Sequence, residues 1–249
     1  MSTKSIKLVS VNIEGNRHLQ ERVLPFLKKE QPEVVCLQEV FEVDLEFIKA
    51  ELGMEGEFVV VAKISVENVH QPARGLWGLA LLSKLPMSGA GYEYYVGSKK
   101  RIPGFYENED PNSMNRAVLW AKVTKAGQDF WIATTHFTWS GDGSTTDLQR
   151  KTYQKMIRIL DQFPDLILTG DFNAPRGKEI FDELSKRYKD NIPPDTKTTI
   201  DNDLHKAEEE INLVVDGLFS SSNYQVSEVK VVSGVSDHKA IVCRIARGL

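Results

Sequence analysis

Two short apolar runs, Val34-Val35-Cys36-Leu37 and Leu166-Ile167-Leu168-Thr169, each break off at or near a carboxylate, Glu39 after the first and Asp171 after the second. Apolar runs of this length without polar alternation read as strands covered on both faces. Such strands need layers on either side, and amphipathic stretches are available to provide them. Leu19 to Glu30 sets Val23, Leu24 and Leu27 on one helical face and stops near Pro32. Val43 to Leu52 repeats the pattern, Thr146 to Phe163 precedes the second run, and a short helix is expected after Pro175.

Further strands are predicted at Ile6 to Asn12, Glu57 to Lys63, Leu79 to Leu82 and Tyr92 to Val96. Arg116 to Val123 and Phe130 to Thr135 form a hairpin around Lys125-Ala126-Gly127-Gln128. Leu213 to Phe219, Val226 to Val232 and Ala240 to Ile245 close the chain. Ser65 to Trp77 and the polar excursion Asn191 to Asn212 read as irregular, apart from a solvated helix face expected at Lys206 to Glu210. About ten strands against four helices is too strand-rich for a regular βα barrel. The expected fold is therefore α/β, a four-layer sandwich of two mixed β-sheets packed face to face with helices on the outer faces. No linker or break in composition interrupts residues 1–249, which are expected to form one domain. Each half contains strand, helix and strand ending in a carboxylate, a pseudo-repeat with no repeat in the sequence itself.

The net charge of −4 argues against a broad basic surface gripping duplex nucleic acid, although it leaves room for a local basic patch. Cys36 and Cys243 are the two cysteines, and both fall inside predicted buried strands, where they act as small apolar fillers. No Cys/His spacing suggests zinc. The start of the chain has no apolar signal core and the longest apolar run is far short of a membrane span, so a cytoplasmic protein without membrane attachment is expected.

Asn12, Glu39, His136, Asp171, Asn173 and the pair Asp237-His238 all sit at predicted strand ends. One Asp or Asn after a strand is ordinarily a turn or a helix cap. Six such positions at matching termini point instead to a site, because loops at strand ends converge without disturbing the core. Converging carboxylates repel one another and require a cation, and an all-oxygen donor set suits Mg²⁺ or Mn²⁺. A histidine beside them supplies a proton-transfer group.

Taken in order, Val11-Asn12, Leu37-Gln38-Glu39-Val40, Gly78-Leu79-Ala80-Leu81-Leu82-Ser83-Lys84, Thr135-His136-Phe137, Gly170-Asp171-Phe172-Asn173 and Ser236-Asp237-His238 resemble the signatures of the endonuclease/exonuclease/phosphatase superfamily over essentially the whole chain. The resemblance implies a metal-dependent phosphohydrolase. It implies that Glu39 holds a divalent ion, with Asn12 and Asp237 completing or bridging its shell through water. His238 would take a proton from the attacking water or stabilise the developing phosphorane-like charge, and Asp216 would orient it. Asp171 would position the water, while Asn173 and His136 donate to the phosphate. Whether His238 or Asp171 is the base stays open, and no tyrosine is assigned beside the phosphate.

Arg116 begins a strand that contacts phosphate in related enzymes; it could clamp a phosphate bidentately or form a surface salt bridge. Trp139, close after His136, is expected to line the cleft. Tyr92, Tyr94, Tyr95, Lys99, Lys100, Arg101, Phe105 and Tyr106 interleave rings with charge, as either a stacking wall for a nucleotide or single strand, or an edge strand with a solvated tip, the latter favoured. Leu76-Trp77 is a small candidate for apolar docking to lipid, but no apolar hairpin or basic amphipathic helix accompanies it, so a membrane-lipid substrate is not expected. The expected activity is Mg²⁺-dependent phosphodiesterase or nuclease-like hydrolysis. The alternative is a phosphomonoesterase acting on a small phosphorylated metabolite, nucleotide or phosphoinositide. The partner is thus a phosphate ester, nucleic acid among the candidates, and no obligate protein partner is expected.

Overall fold

The computed structural model describes residues 4–66, 72–207 and 209–248. Twelve strands lie among them. The first sheet is built from β1 (Ile6–Asn12), β2 (Val34–Phe41), β3 (Glu55–Ile64), β4 (Gly75–Ser83), β11 (Tyr224–Val232) and β12 (Ala240–Arg247), in the order β11-β12-β1-β2-β4-β3. The second comprises β5 (Met87–Val96), β6 (Arg116–Lys125), β7 (Gln128–His136), β8 (Ile167–Asp171), β9 (Lys189–Asp190) and β10 (Asp216–Ser220), in the order β5-β6-β7-β8-β10-β9. Each sheet is antiparallel except for one parallel pair at its centre, β1 with β2 and β7 with β8. These two pairs are the pseudo-repeat expected from the sequence.

Alternation along the strands sorts the core into three layers. Ile6, Leu8, Cys36, Leu81, Leu119 and Ile132 point between the sheets. Val9, Val11, Val35 and Leu37 point outward under α1 (Leu24–Glu30) and α2 (Glu42–Leu52). On the far side, Val118, Ala133 and Leu168 pack beneath α3 (Asp147–Leu160) and α4 (Glu179–Arg187). The four-layer sandwich is as expected. Both cysteines are buried and unpaired.

Local chemistry explains several boundaries. Helix α3 starts with a capping box, in which Thr146 accepts from the Gln149 amide and the Gln149 side chain accepts from Thr146. The α1 segment is preceded by one π-type turn, Leu19–Val23, and Pro25 stands at its first turn, where a missing N–H does no harm. The β6–β7 hairpin turns on Ala126 (φ 50°) and Gly127 (φ 74°), so both central residues are left-handed, as a type I′ turn requires.

Two expectations are corrected. Strand β4 begins at Gly75, so Trp77 belongs to a strand and not to the preceding loop, of which residues 67–71 lie outside the described residues. Trp77 is only 1% exposed and unavailable for docking to lipid. No helix forms at residues 206, 207, 209 and 210, and Glu208 lies outside the described residues, as do Met1 to Thr3. Lys206 instead pairs with Glu14, with 3.5 Å between Nζ and Oε1. Among the described residues no helix is long and apolar enough to cross a membrane.

Candidate active site

Strand register builds half of the site. In the second sheet His136 pairs with Asp171 across β7 and β8, and Asp171 pairs with Asp216 across β8 and β10. Three polar side chains thus stand in a row at adjoining strand ends. The row depends on Gly170, whose φ is +142°: a Cβ there would lie 2.0 Å from the Thr135 carbonyl oxygen, so only glycine lets β8 approach β7 so closely.

The first sheet contributes Glu39 through a bulge. Leu37 pairs with Ala80 and Val40 with Gly78, so two residues on β2 oppose one on β4. Face parity changes across the irregularity: Cys36 points between the sheets, whereas Val40 points outward and Phe41 inward. Glu39 is the additional residue, held at φ 62°, and the distortion sends its carboxylate to the strand end. Its neighbour Gln38 is fully buried and donates to Thr134 Oγ1 at 2.9 Å, tying β2 to β7 beside the site.

Asn12 joins the two halves. Its Nδ2 donates to Glu39 Oε1 at 3.0 Å and to Asp171 Oδ2 at 3.1 Å, so one amide holds a carboxylate from each sheet. His136 lies between the same acids, Nδ1 4.0 Å from Glu39 Oε1 and Nε2 3.5 Å from Asp171 Oδ2. The Asp237-His238 turn before β12 completes the group, with His238 Nδ1 2.9 Å from Asp216 Oδ2 and Nε2 3.7 Å from Asp171 Oδ2. Asn173, at φ 47°, donates from its amide nitrogen to Asp171 Oδ1 and from Nδ2 to the Phe137 carbonyl. A cleft of about 500 Å³ opens over these groups. Glu39, His136, Asp171, Asn173, Asp237 and His238 line it, while Asn12 and Asp216 sit behind them.

Burial and like charge push the Glu39 carboxyl up to about 8, with Asp237 the chief neighbouring charge. Glu14, which also lines the cleft, is raised to about 7 by burial and by Asp237. Burial drives His136 down to about 3, so it is a neutral imidazole at physiological pH. Burial opposes charge on His238 as well, but Asp216 and Asp171 overcome it and hold the ring well above the ordinary histidine range. That direction favours the charged ring, which is suited to stabilising negative charge.

Arg116 is 2% exposed, which removes the surface salt bridge as an account of it. Its Nη1 donates to the His136 carbonyl at 3.2 Å, whereas Nε and Nη2 are buried without a hydrogen-bond partner. Arg116 lines the cleft, and a buried guanidinium with two donors unused in the protein calls for an acceptor. The acids make the complementary demand: Glu39 is held near Asp237 with an amide for its hydrogen-bonding neighbour, and hard oxygen donors of this kind fit a divalent cation. Asp171, Asp216 and His238 form a second set whose donor atoms lie within 4.8 Å of one another.

The basic-aromatic segment divides. Tyr95 is buried with its hydroxyl on Thr135 Oγ1, Tyr94 donates to the Val60 carbonyl, and Lys99 lies over the Tyr92 ring. Phe105 and Tyr106 reach the cleft, as does Trp139, which is 41% exposed. Glu14, Trp77, His205 and Lys206 also line it without having been expected there. Glu14 follows Asn12 by two residues, which was a usable signal. His205 and Lys206 had none, because long-range bonds bring their segment to the cleft: Asp201 N–H donates to the Asp237 carbonyl and Lys239 N–H to that of Thr199, both at 2.7 Å.

Residues 9–238 match the sequence model of the Endonuclease/Exonuclease/phosphatase family. The chain belongs to this family. Its activity is accordingly of the phosphate-ester hydrolase class. The fold agrees. An endonuclease/exonuclease/phosphatase protein from Bacteroides vulgatus superposes with a TM-score of 0.72 at 17% identity, over 98% of this chain and 99% of that one. A mannosyl-6-phosphatase from Bacteroides thetaiotaomicron gives 0.70 at 16% identity over 97% and 99%. The human Nocturnin catalytic domain with bound sulfate gives 0.70 at 17% identity over 100% and 95%. No curated protein matches the chain in sequence.

Proposed function

We propose that the protein is a divalent-cation-dependent hydrolase of small phosphate esters. The observation that carries this is the Asn12 amide, shared between Glu39 and Asp171 beside the His238–Asp216 pair: acids from both sheets converge on one cleft that Arg116 also lines. Glu39 and Asp237 hold the ion, Mg²⁺ or Mn²⁺, with Asn12 bracing Glu39. When bound, the ion supplies Lewis-acid polarisation of a phosphoryl oxygen.

The remaining roles belong to the chain's own side chains. Arg116 contributes its positive charge beside the phosphate, and neutral His136 and Asn173 add donors. Asp171, an acceptor close to both histidines, orients the attacking water and takes its proton. His238, kept charged and aimed by Asp216, stabilises the charge that builds on phosphorus oxygens, a role its electrostatics favour over that of base.

Phe105 and Tyr106 from one loop and Ile200, Ile211 and Leu213 from another wall the cleft, which supports a compact ester ahead of a long polymer. One observation favours the nuclease-like phosphodiesterase: Lys99, Lys100 and Arg101 form an exposed basic tip on the chain leading to Phe105 and Tyr106. Steady-state hydrolysis of small phosphomonoesters, small diesters and single-stranded DNA with Mg²⁺ separates the two. Activity should vanish in EDTA, and kcat should fall at least about 100-fold in His238→Ala. Undiminished turnover in either case would overturn the assignment.

A further inference from the structure

Apart from its ionic groups, the cleft is walled by apolar side chains. Phe105 and Met114 face it from one loop, Ile200, Ile211 and Leu213 from another, and Pro175 from a third. The rings are contiguous: Trp77 and Phe105 meet edge-on with centroids 5.1 Å apart, and Phe105 and Tyr106 at 4.6 Å. Trp139 adds a partly exposed indole at the same cleft. Hydrogen-bonding groups outside the ionic set are mostly single atoms on rings: the Tyr106 hydroxyl and the Trp77, Trp139 and His205 nitrogens. Ser140 offers a buried hydroxyl with no partner in the protein, and Lys206 is engaged with Glu14.

This wall discriminates among the alcohols that a phosphate can esterify. A hexose or inositol carries several hydroxyls, each of which leaves water on entry and needs a new partner. The partners here are mostly single atoms on rings, set among apolar side chains. A ring without hydroxyls loses no hydrogen bonds, is drawn in by burial of its apolar surface, and finds aromatic edges and faces to pack against.

We propose that the cleft selects phosphate esters of a compact alcohol bearing an apolar ring and discriminates against esters of polyols. The inference rests on the phosphate-ester reading above and names the substrate class within it. Phenethyl phosphate and mannose 6-phosphate are both primary alkyl monoesters of similar leaving-group basicity, so comparing them isolates recognition of the alcohol. With Mg²⁺ and the full chain, kcat/KM should favour phenethyl phosphate by roughly 100-fold. Ile211→Ser should reduce that ratio about tenfold, since it removes one apolar wall without touching the ionic groups.

Calorimetry with the non-hydrolysable phenethylphosphonate keeps the inference testable if hydrolysis is absent. It should bind at least about tenfold more tightly than mannose 6-phosphate, with a negative heat-capacity change from apolar burial. Absence of hydrolysis for every phosphate ester, with that binding preference intact, would sink the catalytic reading and leave this inference standing. Equal kcat/KM values, or a preference for mannose 6-phosphate in either measurement, would overturn the inference and leave the catalytic reading untouched.

Discussion

Thr199 is completely buried, and its Oγ1 accepts two hydrogen bonds, from the backbone N–H groups of Val215 and Asp216, both at 3.0 Å. It thereby holds the chain immediately before β10, where Asp216 meets His238. Its own carbonyl accepts from Lys239 N–H, next to His238 on the other side. Thr199→Val keeps the shape of the side chain and leaves two buried donors without a partner. Each unsatisfied donor is worth about 1–3 kcal/mol, so the variant should lose roughly 2–6 kcal/mol. Thr199→Ser retains the oxygen and removes one buried methyl, a loss of about 1 kcal/mol. Urea unfolding at constant m-value measures both. The same variants should separate in turnover on any accepted phosphate ester. In Thr199→Val, kcat falls because Asp216 no longer aims His238, while KM changes little because the phosphate donors lie elsewhere. Equal unfolding midpoints for the valine and serine variants, with equal kcat, would show that the two bonds to Thr199 carry no weight.

Asp216→Asn preserves a group able to hydrogen-bond across the 2.9 Å contact with His238 Nδ1 but removes the charge, and kcat should drop by about 10²–10⁴ at neutral pH. Retention of full activity there would show that hydrogen bonding alone suffices. Ion-free protein should lose stability as pH rises from about 6.5 to 8. The Glu39 carboxyl at about 8 and Glu14 at about 7 bind protons in the native state that the unfolded chain has already released, so the slope of unfolding free energy against pH is negative. His136, at about 3 when folded, contributes a positive slope only below its ordinary value and has finished by that window. Thermal melts in EDTA and in Mg²⁺ test this, and parallel pH profiles in the two would contradict an ion held by Glu39. Ala126→Asn should stabilise the protein by up to about 1 kcal/mol, because asparagine tolerates the left-handed turn position better than alanine; an unchanged urea midpoint would count against the turn assignment.

The strands were legible because each reports on itself. Val34 to Leu37 and Leu166 to Thr169 show by composition alone that both faces are covered, and Ala126-Gly127 shows where a hairpin turns. The motif residues were legible as a set of strand ends. The bulge at Gln38-Glu39 was not, because a register slip depends on pairing with β4, and neither was the burial of Trp77, whose neighbours Phe105 and His136 come from distant segments. The stretch from Asn191 to Asn212 reads from the sequence only as a polar excursion, since polar residues read the same whether water or a remote backbone satisfies them. Thr199 is the clearest case, a polar side chain at zero exposure.

What the sequence by itself determined is the layered fold and the identity of the polar residues at its strand ends, since periodicity and composition are local properties of the chain. Tertiary structure alone decided how those residues act on one another. Asn12 lies 159 positions from Asp171 and yet donates to its carboxylate, and the charge on His238 depends on acids carried by two other strands. Electrostatic energies follow distance through space in a water-poor cleft, and that distance exists only once both sheets have packed.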